Sequence, residues 1–125
     1  MHIDHIGIAV DNLEEAVKSY EKLLNKRAYK REIVANQKVE TVFFQAGESK
    51  IELLGATSAD SVIASFINKK GTGIHHIAFE VKDLDSEMVR LKKEGYRLLS
   101  DTPTPGADNK RIVFLHPKDC HGVLI

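Results

Sequence analysis

The chain is written twice, and that feature constrains its fold more than any other. Ile3-Asp4-His5-Ile6-Gly7-Ile8-Ala9-Val10 recurs as Ile74-His75-His76-Ile77-Ala78-Phe79-Glu80-Val81, at a constant offset of 71 positions. The register continues past this strand-like run, with Leu13, Val17 and Tyr20 aligning with Leu84, Met88 and Leu91. Spaced i, i+4, i+7, each trio marks one face of an amphipathic helix. Asp11-Asn12 in the first copy and Asp83 in the second offer side-chain acceptors to the free N–H groups of the first turn. Glu14, Glu15, Asp85 and Glu87 follow, where the helix dipole favours negative charge, and Gly95 closes the second helix.

After each helix come β-type runs, at 28–34, 39–45 and 50–54 in the first copy and at 96–100, 111–116 and 122–125 in the second. Between the copies, 58–70 is a further amphipathic stretch with Val62, Ile63, Phe66 and Ile67 on one face. The sequence therefore predicts an α+β fold of two tandem βαβββ modules. Module one covers 1–57, a linker helix 58–70 and module two 71–125, all within one domain. At 125 residues and 42% hydrophobic, the chain carries enough apolar material for a single core.

Side chains along a strand alternate between two faces. The bulky set Ile6, Ile8 and Val10, with Ile77, Phe79 and Val81 in the copy, suits packing beneath the helices. The opposite face carries His5 beside Gly7 and Ala9, and His76 beside Ala78, which leaves room in a concavity. His2 and His5, three apart, are expected on opposite faces, and of the neighbours His75 and His76 only one is expected to reach the cavity. Symmetry with His5 selects His76. A single strand histidine is more often a packing residue than a ligand, but two at equivalent positions of a duplication favour a metal; imidazole suits several divalent ions. Glu52 is an acidic residue inside the apolar run Ile51 to Leu54, a costly choice unless the charge is paired or coordinated. The duplication places a fourth ligand at the position after Ile125, which matches Glu52. Glu40 shares a face with Val42 and Phe44; if that face is the inner one, Glu40 is a candidate base, and an edge-strand glutamate otherwise.

Asp4-His5-Ile6-Gly7-Ile8-Ala9-Val10, Ile51-Glu52-Leu53-Leu54, Gly73-Ile74-His75-His76-Ile77-Ala78 and Phe114-Leu115-His116-Pro117-Lys118-Asp119-Cys120 with Gly122-Val123-Leu124-Ile125 resemble the methylmalonyl-CoA epimerases. These belong to the vicinal-oxygen-chelate superfamily, and the likeness runs from end to end. It implies a cupped mixed sheet around one divalent metal, Co2+ above all with Mn2+, Ni2+ or Zn2+ as alternatives, within a homodimer. It implies that His5, Glu52 and His76 are metal ligands, that a glutamate follows the Gly-Val-Leu-Ile run, and that Glu40 matches an acid/base glutamate of some bacterial members. The implied chemistry is epimerisation at C2 of an acyl-CoA, a metal-stabilised enolate with carboxylates moving the proton. Lys110, Arg111 and Lys118 are candidates for the CoA phosphates, and the Pro- and Gly-rich loop 101–109 is expected to border the pocket.

Charge and cysteine usage narrow the setting. Eighteen basic residues balance eighteen acidic ones, which gives no sign of a nucleic-acid footprint or a polybasic membrane surface. Cys120 is the one cysteine, so a reducing compartment is expected; with no apolar run of membrane length, the reading is a cytoplasmic protein. Two rivals share the pattern: a glyoxalase I-type lyase acting on a glutathione hemithioacetal, and a non-catalytic small-molecule-binding domain.

Overall fold

A computed structural model describes residues 1–125. In chain order the elements are β1 (His2–Ala9), α1 (Leu13–Leu24), β2 (Lys30–Val34), β3 (Val39–Ala46), β4 (Ser49–Ala56), α2 (Val62–Lys70), β5 (Gly73–Glu80), α3 (Leu84–Lys93), β6 (Thr104–Pro105) and β7 (Arg111–Ile112). The helices start where the sequence offers acceptors. Asn12 accepts from Glu15 N–H, Ser61 from Ile63 N–H and Asp83 from Ser86 N–H. Gly95, at φ +96°, takes the left-handed backbone that ends α3.

Five strands form one mixed sheet in the order β2-β3-β4-β1-β5, with β1 parallel to β4 and antiparallel to β5. The order continues through single hydrogen bonds in the second module. Ile77 N–H donates to Leu124 O, Leu115 N–H to Ile125 O, Leu99 N–H to Phe114 O and His116 N–H to Arg97 O. The segments expected as strands at 96–100, 111–116 and 122–125 thus lie side by side, in the order that the first module's strands take. Only Arg111–Ile112 and the bridge Leu98–Leu115 reach ladder pairing, however. Pro117 stops the ladder after His116, because it brings no N–H to a rung.

The two faces of the sheet are packed differently. On the outer face Val10, Val42, Phe44 and Leu53 bury against Val17 of α1, with Leu13, Ala16, Tyr20 and Leu24 alongside. Fully burying a side chain of this size stabilises the fold by roughly 2 kcal/mol, so this face anchors the first module. On the inner face Ala9, Val39 and Leu54 meet Ile63 of α2, with Phe66 and Ile67 beside it, which plugs one end of the concavity. Val62, expected on that helix's apolar face, is instead exposed. The second module buries far less: Met88 and Leu115 are its buried hydrophobic residues, and Phe79, Val89, Leu99 and Val123 are exposed. No helix is long and apolar enough to cross a membrane.

Candidate metal centre and its cavity

The open end of the inner face is a cavity of about 710 Å³, walled by His5, Lys50, Glu52, His75 and His76 on the sheet side and by 107–114 from the second module. Its geometry starts from Gly7. Across the sheet Gly7 pairs with Glu52 on one side and His76 on the other. Neighbouring strands lie about 4.8 Å apart, so those two side chains converge over a residue that has none. A Cβ on Gly7 would stand 2.6 Å from Nδ1 and 2.8 Å from Nε2 of His76, and closer still to Cε1. The small residue in this strand is therefore the space that the imidazole fills. Ala78 is the corresponding small residue opposite His5.

His5 meets its neighbours through opposite edges of its ring. Its Nε2 is 2.9 Å from His76 Nε2, with the rings edge to face, while its Nδ1 is 2.7 Å from Asp4 Oδ2 and 3.2 Å from Glu52 Oε2. The structure thus brings His5, Glu52 and His76 onto one cavity wall. Glu52 sits at the Nδ1 edge of His5, so sharing one ion with the two Nε2 atoms calls for the carboxylate to turn.

Burial sets the electrostatics. Glu52 is 4% exposed and its pKa is pushed up to about 7, chiefly by desolvation, with Lys50 opposing. Desolvation also lowers His76 to about 3, helped by the neighbouring charges of His5 and His75, and lowers His5 against the pull of Asp4. Burial pushes Asp4 upward, but its bonds to His5 and Lys50 outweigh that and hold it below the usual range. A buried carboxylate beside two imidazoles kept neutral is a donor set that suits a divalent cation. Asp4 can only accept, so the hydrogen of His5 is on Nδ1 and its Nε2 lone pair faces His76. Something positive must sit between the two Nε2 atoms: the hydrogen of a neutral His76 carried on Nε2, or a cation in its place.

Two β-bulges aim these groups, and strand alternation alone does not reveal them. Ile3 pairs with Phe79 and His5 with Ala78, so Asp4 is an extra residue in β1; Gly7 pairs with His76 and Ile8 with Ile74, so His75 is an extra residue in β5. The first bulge turns His2 to the same face as His5, contrary to the opposite-face expectation, where it pairs with Glu80. His2, Asp4 and Glu80 also bring ligand atoms within 4.8 Å of one another. The second bulge lets both His75 and His76 reach the cavity, where one was expected. Their Nδ1 atoms are 3.0 Å apart, and His75 stands edge-on to Phe66 of α2.

Glu40 requires correction. The face it shares with Val42 and Phe44 is the outer, helix-covered one, and Glu40 ion-pairs with Arg31, which also holds Glu14 of α1. The inner face of β3 presents Val39 and Thr41 to the cavity instead. Among the basic candidates, Lys110 and Arg111 line the cavity, Lys110 3.9 Å from Glu80 and Arg111 3.1 Å from Asp85. Lys118 lies off the wall in the turn after Pro117, its N–H donating to His116 Nδ1. Lys50 was missed from sequence. It is nearly buried on the inner face, 3.2 Å from Asp4 and 3.8 Å from Asp108. Asp108 in turn pairs with Lys30 and takes its N–H to Glu32, which pins the loop over the cavity to β2.

The glyoxalase/bleomycin resistance protein/dioxygenase superfamily model matches residues 4–114. The chain is 40% identical to the mitochondrial methylmalonyl-CoA epimerase of Homo sapiens, over 98% of this chain and 70% of that protein. Its fold superposes on methylmalonyl-CoA epimerase from Mycobacterium tuberculosis with a TM-score of 0.94 at 38% identity, covering 99% of this chain and 84% of that one. A methylmalonyl-CoA epimerase solved in complex with methylmalonyl-CoA and NH4+ superposes with a TM-score of 0.91 at 37% identity, covering 98% and 90%.

Proposed function

Because the chain belongs to the methylmalonyl-CoA epimerase family of the glyoxalase/bleomycin resistance protein/dioxygenase superfamily, we propose that it interconverts the C2 epimers of methylmalonyl-CoA. The observation that carries this reading is the pair of buried imidazoles with facing Nε2 atoms, set beside the buried Glu52 on the wall of a cavity large enough for an acyl group.

His5, His76 and Glu52 are the residues that would hold a divalent ion, Co2+ above all, with Mn2+, Ni2+ or Zn2+ as alternatives. When bound, such an ion supplies electrophilic stabilisation to the oxygen on which enolate charge develops. The protein side of the chemistry follows from burial. Leu54, Val39 and Ile63 line the end of the cavity that α2 plugs, and Phe114 stands edge-on to His76; apolar walls of this kind strengthen the electrostatic contacts inside them. Among the carboxylates on the wall, Glu52 alone has its pKa raised toward neutrality. The raised value reflects how strongly this buried charge calls for a positive partner, which the ion would supply. Glu40 takes no part, since its carboxylate is on the far side of the sheet. Lys110 and Arg111, at the mouth, are placed to meet the CoA phosphates. The exposed apolar side chains of the second module support a second copy as partner, and the free Cys120 supports a cytoplasmic setting.

The test is exchange of the C2 proton of methylmalonyl-CoA in D2O, followed by NMR with the Co2+-loaded protein. Metal-dependent wash-out that is lost in His76→Ala is the expected result. Isomerisation of a glutathione hemithioacetal without such exchange would overturn the assignment.

A further inference from the structure

Asp4 and His75 stand at the same place in the two repeats, 71 positions apart, each directly before a cavity histidine. Each is also the extra residue of a β-bulge, one on either side of the β1–β5 pairing. Without the bulges, alternation would send both side chains to the face opposite the histidine that follows. With them, each turns back onto its neighbour's ring. Asp4 Oδ2 lies 2.7 Å from His5 Nδ1, and His75 Nδ1 lies 3.0 Å from His76 Nδ1. We infer that Asp4 and His75 are positioning residues, each fixing the Nδ1 edge of the next histidine so that the two Nε2 atoms converge to receive a divalent cation. The inference deepens the metal assignment above and rests on it.

The two devices are equivalent in place and different in chemistry. Asp4 is an acceptor with its own counter-ion, Lys50 at 3.2 Å, and makes a charge-assisted bond that orients the His5 ring. His75 is uncharged in its contact and is held by packing, its ring 5.0 Å from that of Phe66 and nearly perpendicular to it. Once the Nε2 lone pair of His76 is given to an ion, the hydrogen of His76 is on Nδ1 and must be accepted by His75 Nδ1. His75 then carries its own hydrogen on Nε2. Ligand histidines whose second nitrogen is held in this way lose roughly 10–100-fold in metal affinity when the outer partner is removed.

The experiment uses Zn2+ as the probe. Its affinity is measured by competition with a chromophoric chelator for wild type, Asp4→Ala, Asp4→Asn, His75→Phe and His75→Gln. The Zn2+-loaded wild type is then examined by long-range ¹H–¹⁵N NMR of the histidine rings. Asp4→Ala and His75→Phe are expected to weaken Zn2+ binding about 10–100-fold, although His75→Phe keeps a ring against Phe66. Asp4→Asn and His75→Gln, which restore an acceptor, should regain most of the loss. The ring spectra should show Nδ1–H on His5 and His76 and Nε2–H on His75. Wild-type affinity in both Asp4→Ala and His75→Phe, or Nδ1–H on His75, would overturn the positioning role while leaving the metal centre standing. Failure of the wild type to bind Zn2+ or Co2+ at all would remove the metal centre and this inference together. The NMR readout needs no variant, so a misfolded substitution does not shield the inference.

Discussion

Gly7→Ala puts a single methyl group where the His76 imidazole lies, at 2.6 Å from Nδ1 and 2.8 Å from Nε2. Non-bonded heavy atoms pack at about 3.5–4.0 Å, so the ring must retreat by about 1 Å or turn aside. Metal–ligand distances tolerate only about 0.2 Å, so His76 is lost as a donor. Metal affinity should fall by at least about 100-fold, beyond the loss seen for outer partners, and C2 exchange by about 100-fold or more. The obstruction is a side chain rather than backbone, so the fold can yield; overpacking of this kind costs about 1–3 kcal/mol. Gly55→Ala is the matched control. Its Cβ would stand 3.1 Å from Leu13 Cβ on the outer face, crowding the α1 interface without touching the cavity. Chelator competition and proton exchange on both variants, with thermal melts alongside, separate the two effects. The reasoning is refuted if Gly7→Ala binds the ion and exchanges the proton as the wild type does, or if Gly55→Ala loses binding to the same extent.

Other outcomes follow from the same geometry. Glu40→Gln should leave kcat/KM within about twofold and reduce stability by less than about 1 kcal/mol, because its half-exposed ion pair with Arg31 is on the outer face; steady-state kinetics and a urea titration check both. Asp119, bonded through its carboxylate to Arg97 N–H and guanidinium, is held down at about 2. A carboxylate depressed in the folded state stabilises above its unfolded value, near 3.8, and loses that contribution as pH falls toward 2. The acid limb of the melting profile should therefore flatten in Asp119→Asn. Asp108→Ala frees the cavity loop from its side-chain ties to Lys30 and Lys50 and keeps the backbone N–H bond to Glu32; KM should rise severalfold with a smaller change in kcat, and an unchanged KM would remove the loop from substrate binding.

Much of this arrangement was legible from residue spacing, and the limits of that legibility have physical causes. The duplication and the helix faces follow from periods of two and 3.6, which is why His5 and His76 could be paired from sequence and why Ile8, Val10, Val17 and Tyr20 were placed against one another. Glu52 stood out because an acid inside an apolar run is energetically conspicuous. Bulges defeat the same counting. One extra residue in each of β1 and β5 reverses parity, so His2 and His75 were assigned to the wrong side, and Asp4 left no periodic signal at all. Glu40 failed for a different reason. Parity grouped it correctly with Val42 and Phe44 but could not say which face α1 covers, and its cross-strand partners Ile33 and Gly55 do not mark the side. The second module's strands are shorter than the β-type runs suggest, because Pro117 and the loop at 101–109 leave few rungs to pair.

The facing Nε2 atoms of His5 and His76 lie 71 positions apart along the chain, and they meet only across the β1–β5 seam. Closing a loop of that length costs entropy on the order of 4 kcal/mol, and neither repeat holds both nitrogens by itself. An ion that requires both can therefore bind only after the repeats have docked. By mass action it then adds about 2.7 kcal/mol at a hundredfold excess over its dissociation constant, comparable to the closure entropy it follows. Such an ion acts as a clasp on a completed seam. It should slow unfolding and leave the folding rate nearly unchanged, since contacts made after the transition state change the rate of escape and not the rate of arrival.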